Sequence, residues 1–300
     1  MSDGAKVIVA IGEILWDVFP SGKRMGGAPA NFVYHVREIG GEEVQPLLVS
    51  CVGDDAPGRE ILARWDQLSL SEEFIAVDGQ HPTGTVSVTV DLQGKPVYAF
   101  ETGVAWDFLP ESPQVRELAA TADALCFGTL AQRAPNSRKT IQNFLRQAGS
   151  DALRILDINL RTPFLSKSVV EESLCLANVL KINDEELRVV ADYFALSGGE
   201  KAIVAGLMRR WKLRLVALTK GEHGSVLYTP NGSSVCGGIP VTVADSVGAG
   251  DAFTAAIALG MLHEFPMEKI NECANRAAAY VCTKPGAMPE MPEEIKRIFQ

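Results

Sequence analysis

The chain has 300 residues, 47% hydrophobic and 22% charged, a globular composition with room for one large α/β domain or two smaller ones. A net charge of −9 argues against nucleic acid or an anionic membrane surface as a partner, and no apolar run approaches the ~20 residues of a membrane span. Six cysteines without a CxxC, and an N-terminal apolar run too short for a signal peptide, predict a reduced, cytoplasmic protein with packing cysteines.

Residues 7–11 form a continuous apolar run, the pattern of a strand buried on both faces. Gly12-Glu13-Ile14-Leu15-Trp16-Asp17 follows, so Asp17 falls just past a strand end, where α/β sheets bind ligands. It can accept hydrogen bonds from ligand hydroxyls or serve as a plain turn acid. Gly26-Gly27-Ala28-Pro29-Ala30-Asn31 then opens an amphipathic helix through Ile39. Two glycines let backbone approach a small ligand, with Asn31 on the first turn; the alternative is a turn in which Pro29 starts the helix. A strand over 47–52 ends at Gly53, and a helix follows to about Leu68.

Residues 85–91 alternate strictly, Gln93-Gly94-Lys95 makes a turn, and 97–101 return. This predicts a β-hairpin that interrupts the βα series, as a flap over a ligand or a partner subunit. The βα rhythm resumes with strands at 124–127, 153–159, 179–182 and 213–218 and helices near 137–148 and 169–177. Asn183-Asp184-Glu185-Glu186 either holds a metal hydrate or a phosphate or simply caps a helix. Thr219-Lys220-Gly221 ends the last of those strands, and short antiparallel strands follow at 225–228 and 234–236. An apolar helix over 270–282 is broken by Pro285-Gly286-Ala287.

The most distinctive stretch is Asp245-Ser246-Val247-Gly248-Ala249-Gly250-Asp251-Ala252-Phe253, which leads into a buried helix. Small residues at a helix start leave N–H groups free to meet an anion. Gly248, Ala249 and Gly250 can therefore form an anion cradle. A carboxylate beside such a cradle repels the anion, so Asp251 is better used as a base for a hydroxyl attacking a phosphorus held there. The alternative is a Gly-rich loop in which Asp251 completes the helix start. A P-loop, a dinucleotide fingerprint, an HExxH motif and a GxSxG elbow are all missing, and His223 reads as an exposed turn residue. Strand–helix alternation with polar or Gly-rich residues after the strands predicts an α/β fold. Its central sheet is doubly wound and mostly parallel, with helices on both faces, and the site lies along the carboxyl edge.

Together these motifs resemble the ribokinase (PfkB) family of sugar kinases over nearly the whole chain. The opening Gly12-Glu13 to Asp17, with Asp157-Ile158-Asn159-Leu160-Arg161, is most similar to the fructokinase branch. The resemblance implies a single ribokinase-like domain over 1–300 with a β lid at about 83–104. It implies ATP and Mg2+ as cofactors and transfer of the γ-phosphate to a primary hydroxyl of a sugar, fructose first. Ribose, a 2-keto-3-deoxy sugar acid or a nucleoside are the rival acceptors, and a non-catalytic sugar or nucleoside binder is the rival class. Asp251 would be the base and Gly248, Ala249 and Gly250 the anion hole. Asp17, Gly27, Asn31, Asn159 and Arg161 would grip the sugar. Asn183 and Glu186 would position Mg2+ (through water) and the phosphates, and Thr219, Gly221 and Asn275 would line the nucleotide site. Asp245, with Val247 and Gly286, would hold a monovalent cation such as K+. The lid would pair two subunits into a homodimer. Fructokinase lids often carry an Arg where this chain has Glu101, a departure that adds an acceptor for sugar hydroxyls. Trp16, Phe100 and Trp106 are the aromatics that would build a slot for a nucleoside base.

Overall fold

The structure, a computed structural model, describes residues 4–90, 96–164 and 166–299, with backbone only at 88–90 and 96–98. The turn expected at Gln93-Gly94-Lys95 lies outside the described residues. The strands are β1 (Lys6–Ile11), β2 (Leu15–Phe19), β3 (Gly22–Gly26), β4 (Val44–Gly53), β5 (Ile75–Asp78), β6 (Thr85–Val90), β7 (Pro96–Phe100), β8 (Ala124–Phe127), β9 (Leu153–Asp157), β10 (Val179–Asn183), β11 (Leu215–Thr219), β12 (Ser225–Thr229) and β13 (Gly232–Cys236). The principal helices are α1 (Ala28–Gly40), α2 (Ala56–Gln67), α3 (Pro113–Thr121), α4 (Pro135–Gln147), α5 (Lys167–Leu176), α6 (Asp184–Phe194), α7 (Glu200–Trp211), α8 (Ala249–Leu262) and α9 (Met267–Cys282).

Nine strands form one sheet in the order β13-β12-β11-β10-β9-β8-β1-β4-β5. The β11–β12 and β12–β13 pairs are antiparallel and the others parallel. The apolar runs follow from burial on both faces. In β1, Val9 and Ile11 join the core under α3 to α7, while Ile8 and Ala10 join the core under α1, α2, α8 and α9. Helix α7, which the sequence pattern did not single out, buries Val204, Leu207 and Trp211 on one face, at helical spacing.

A second sheet runs β3-β2-β6-β7, so the lid is twice the hairpin expected from 83–104. Asp17 is not a turn residue past β1 but the middle of lid strand β2. Register places Arg24, Asp17, Val86 and Phe100 side by side in one row across the sheet. The neighbouring row runs Lys23, Val18, Ser87 and Ala99, and all four of these are exposed. One face of the lid therefore looks at the body and the other at solvent. The end of the lid is pinned by Arg133, which donates to the Glu101 carbonyl and pairs with Asp107 at 2.8 Å, both side chains buried.

Candidate active site

A cavity of about 300 Å3 lies between the inner lid face and the carboxyl ends of β1, β8 and β9. Of the residues expected to act together, Asp17, Gly27, Asn31, Asn159, Arg161, Val247, Gly248, Gly250 and Asp251 all line it. Ala249 and Glu101 do not; the Glu101 side chain is exposed and its neighbour Phe100 lines the cavity instead. Trp16 and Trp106 are fully buried core residues, so of the three aromatics only Phe100 faces the cavity.

The Gly-rich turn behaves as its composition requires. Gly248 has φ +82° and caps α8, and a Cβ there would run into the Ala287 backbone. The N–H groups of Gly250 and Asp251 find no backbone acceptor among the described residues, as at any helix start. Asp251 is buried on the first turn of α8, and its Oδ2 accepts from Asn31 Nδ2 at 2.7 Å. Burial pushes its carboxyl up to about 7; Asp157 adds to the rise, and the Asn31 hydrogen bond and the Lys181 and Arg161 charges oppose it. Asp17 is raised to about 6 by burial, against the pull of Arg161 and Arg24.

Three neighbours were not legible as site residues. Lys181 is buried and its Nζ pairs with Asp157 Oδ1 at 3.0 Å. A Cβ on Gly250 would lie 2.9 Å from that Nζ, so a fixed cation stands against the anion cradle. Burial alone would lower the Lys181 pKa, but the Asp157, Glu186 and Asp251 charges raise it, so the ammonium stays charged. Asp157 also accepts from Thr254 Oγ1 at 3.1 Å. Glu13 is 4% exposed and lines the cavity, and its Oε2 has no partner. Lys181 and Glu13 sit in apolar strand contexts, where no spacing rule marks them; only the Gly12-Glu13 pair after a strand hinted at the second.

The residues expected to serve a nucleotide lie to one side. Asn183 and Glu186 form a capping box: Asn183 Oδ1 accepts from the Glu186 amide at 2.8 Å and Glu186 Oε2 from the Asn183 amide at 2.9 Å. Glu186 Oε1 accepts from the Leu160 amide at 2.8 Å. Thr219 and Gly221 sit at the end of β11 and in the turn after it. A Cβ on Gly224 would strike the Cys236 carbonyl and one on Gly238 the Glu222 carbonyl, so 236–238 packs directly on that turn. From there the exposed branched side chains Ile239, Val241 and Val243 lead to the Gly-rich turn. Asn275 is buried and bonded to Ser225 Oγ at 2.7 Å and within α9 to Asn271.

Asp245 accepts from the Val247 amide at 3.1 Å, the Gly286 amide at 3.1 Å and Arg24 Nη1 of the lid at 2.9 Å. No cluster of three or more His, Cys, Asp or Glu side chains suited to a metal occurs among the described residues.

Residues 14–294 match the profile described as pfkB family carbohydrate kinase. The chain is 28% identical over 314 residues to a fructokinase of Salmonella typhimurium, covering 98% of this chain and 99% of that one. It superposes with a TM-score of 0.82 and 20% identity on a putative ribokinase II of E. coli in complex with ATP and Mg2+, covering 98% of each chain. It superposes with a TM-score of 0.83 and 17% identity on a 2-dehydro-3-deoxygluconokinase of Thermotoga maritima, covering 100% of this chain and 99% of that one. All three names are kinases, and each names a different acceptor.

Proposed function

The chain belongs to the pfkB family of carbohydrate kinases, phosphotransferases that act on an alcohol, and on that premise we propose that it transfers the γ-phosphate of ATP to a primary hydroxyl of fructose. The observation that carries this reading is Asp251: a buried carboxyl with a pKa near neutrality, at the start of α8, facing a cavity of sugar size.

Asp251 takes the hydroxyl proton as the oxygen attacks. The free amides at Gly250 and Asp251 and the Lys181 ammonium face the charge that develops on the phosphoryl group. The Asn31 hydrogen bond holds the carboxylate in place. Mg2+, when bound, neutralises the phosphates; Glu186, through water, and the Asn183 turn would hold it. Thr219, Gly221 and the exposed Ile239, Val241 and Val243 offer an apolar ledge for the nucleotide base.

The acceptor choice rests on charge. Glu13, Asp17, Asp157 and Asp251 line the cavity against Arg161 and Lys181, and the Lys181 charge is already met by Asp157. That balance suits a neutral polyol. A nucleoside is disfavoured because Trp16 and Trp106 are core residues. One observation favours a second reading: Arg161 faces the cavity without a carboxylate ion pair among the described residues, donating only to the Leu160 carbonyl, as a sugar acid would need. The test is kcat/KM for fructose, ribose, 2-keto-3-deoxygluconate and adenosine with Mg-ATP. Fructose is expected to be the best. A better rate with the sugar acid transfers the assignment to the second reading, and binding without turnover of any compound removes kinase activity.

We also propose a homodimer through the outer lid face, where Val18 and Ala99 are exposed; a monomer by light scattering at micromolar concentration would exclude it. A monovalent cation at Asp245, Val247 and Gly286 is proposed too, though it must share Asp245 Oδ2 with Arg24. Equal turnover in K+, Na+ and a bulky organic cation would remove it.

A further inference from the structure

Hydrogen-bonding capacity is distributed unevenly around the cavity. Among the described residues, two buried oxygens there have no partner, Glu13 Oε2 and Asn31 Oδ1, and both residues are 4% exposed. Native proteins rarely leave such atoms unpaired, because each costs on the order of 1–3 kcal/mol. Several of the neighbouring donors are already engaged. Asn31 Nδ2 donates to Asp251, Lys181 to Asp157, Thr254 to Asp157 and Gly250, and Thr129 to the Ile158 carbonyl. Arg161 and Asn159 bring donors to the same cavity, but at Glu13 and Asn31 the unmet atoms are acceptors, so their complement is a ligand that brings a hydroxyl donor.

A Cβ on Gly27 would collide with the Glu13 carbonyl, so the backbone at 13 packs directly on the turn before α1. The carboxyl accepts from the Ala28 amide at the start of α1 and feels the opposing charges of Arg161 and Asp251. The phosphorylation chemistry does not require it, because Asp251 already supplies the base.

We propose that Glu13 is a specificity-determining residue of this kinase, its free carboxyl oxygen accepting a hydrogen bond from an acceptor hydroxyl other than the one phosphorylated. The proposal rests on the sugar-kinase reading above and assigns one contact within it. Burial pushes the Glu13 carboxyl up to about 7, with Asp251 adding to the rise and the Glu13 and Ala28 backbone amides and the Arg161 charge opposing it. A hydroxyl suits both protonation states, since it donates to the carboxylate and accepts from the acid.

The experiment compares wild type, Glu13→Gln and Glu13→Asp on the best acceptor of the four-compound panel and on its monodeoxy analogues. A site that hydrogen-bonds a hydroxyl discriminates strongly against the analogue that lacks it. Wild type is expected to reject one deoxy analogue by about 100-fold or more. Glu13→Gln is expected to lower kcat/KM for the parent sugar by about 10- to 100-fold, leave that one analogue within about threefold, and leave KM for ATP unchanged. Glu13→Asp keeps the charge but withdraws the oxygen by one methylene and is expected to show the same selective loss. It serves as the readout if the Gln variant melts early. Equal losses on the parent and on every analogue would mean a purely structural carboxyl and overturn the proposal. If wild type phosphorylates none of the panel, the sugar-kinase reading falls and takes this one with it; a working wild type with unselective variants sinks only the role of Glu13.

Discussion

On the proposed acceptor side of the site, Glu13, Asn31 and Asp251 bring buried polar atoms to a cavity with hydrogen-bonding capacity to spare. On the donor side, Glu186 uses both carboxylate oxygens on the Asn183 and Leu160 amides, and the Asn275 amide is taken up by Ser225 and Asn271. The acceptor side is enclosed by a lid; the donor side offers a strand end, a turn and exposed branched side chains. Unpaired buried groups discriminate, because a wrong ligand leaves them unpaired. Satisfied groups and apolar ledges tolerate. On the proposed assignment of the two sides, choice among substrates is built into the acceptor wall, and the donor wall supplies position.

Asp251→Asn should separate the two walls most sharply. It keeps an acceptor oxygen for Asn31 but removes the base, so kcat should fall by about 10²- to 10⁴-fold. KM for either substrate should move far less. Steady-state ADP release measures this, and near-normal turnover would leave the acceptor wall with no chemistry to distinguish it.

Glu186→Gln probes the other wall. One of its two amide contacts must be lost, so the melting temperature should drop with a stability loss of about 1–3 kcal/mol. KM for Mg-ATP should rise roughly tenfold, the weight of an outer partner of a metal site, with KM for the sugar unchanged. A sugar-side effect of equal size would dissolve the contrast.

The smallest effect is in pH. With Asp251 raised to about 7, kcat/KM should climb with pH through about 7 as the base loses its proton, and then level off. The same shift acts on stability with the opposite sense. A carboxyl held above its unfolded value of about 4 stabilises the fold below that pH and loses this contribution as pH rises to about 7. Asp251→Asn removes that loss, so thermal melts should show the variant gaining on wild type between pH 5 and pH 8. A variant that instead loses ground would contradict the burial assigned to Asp251.

The parts of this site that could be read from sequence are those with a local cause. Gly248 and Gly250 next to Asp251 announce unpaired amides beside a carboxyl because helix-start geometry is a matter of adjacent residues. Asn31 follows Gly27 for the same reason. What brings Asn31 to Asp251 is a contact across 220 positions, and Lys181 reaches Asp157 across 24; no spacing rule predicts either. Strand β2 was missed because five residues running out of a buried strand look like a loop, and only its parallel pairing with β6 makes it part of the lid. Trp16 and Trp106 carry no local mark that separates a binding slot from a core; large aromatics more often fill cores, and these do.

The row Arg24, Asp17, Val86 and Phe100 has a consequence for how this gene can drift. Because strand side chains alternate, a single-residue insertion or deletion inside β6 would present Ser87 where Val86 stands, and one inside β7 would present Ala99 in place of Phe100. The roof would lose its apolar cover, and a large apolar side chain would be turned out to water. Indels within these lid strands should therefore survive only in pairs of residues, while the connections between strands are free to change by any number.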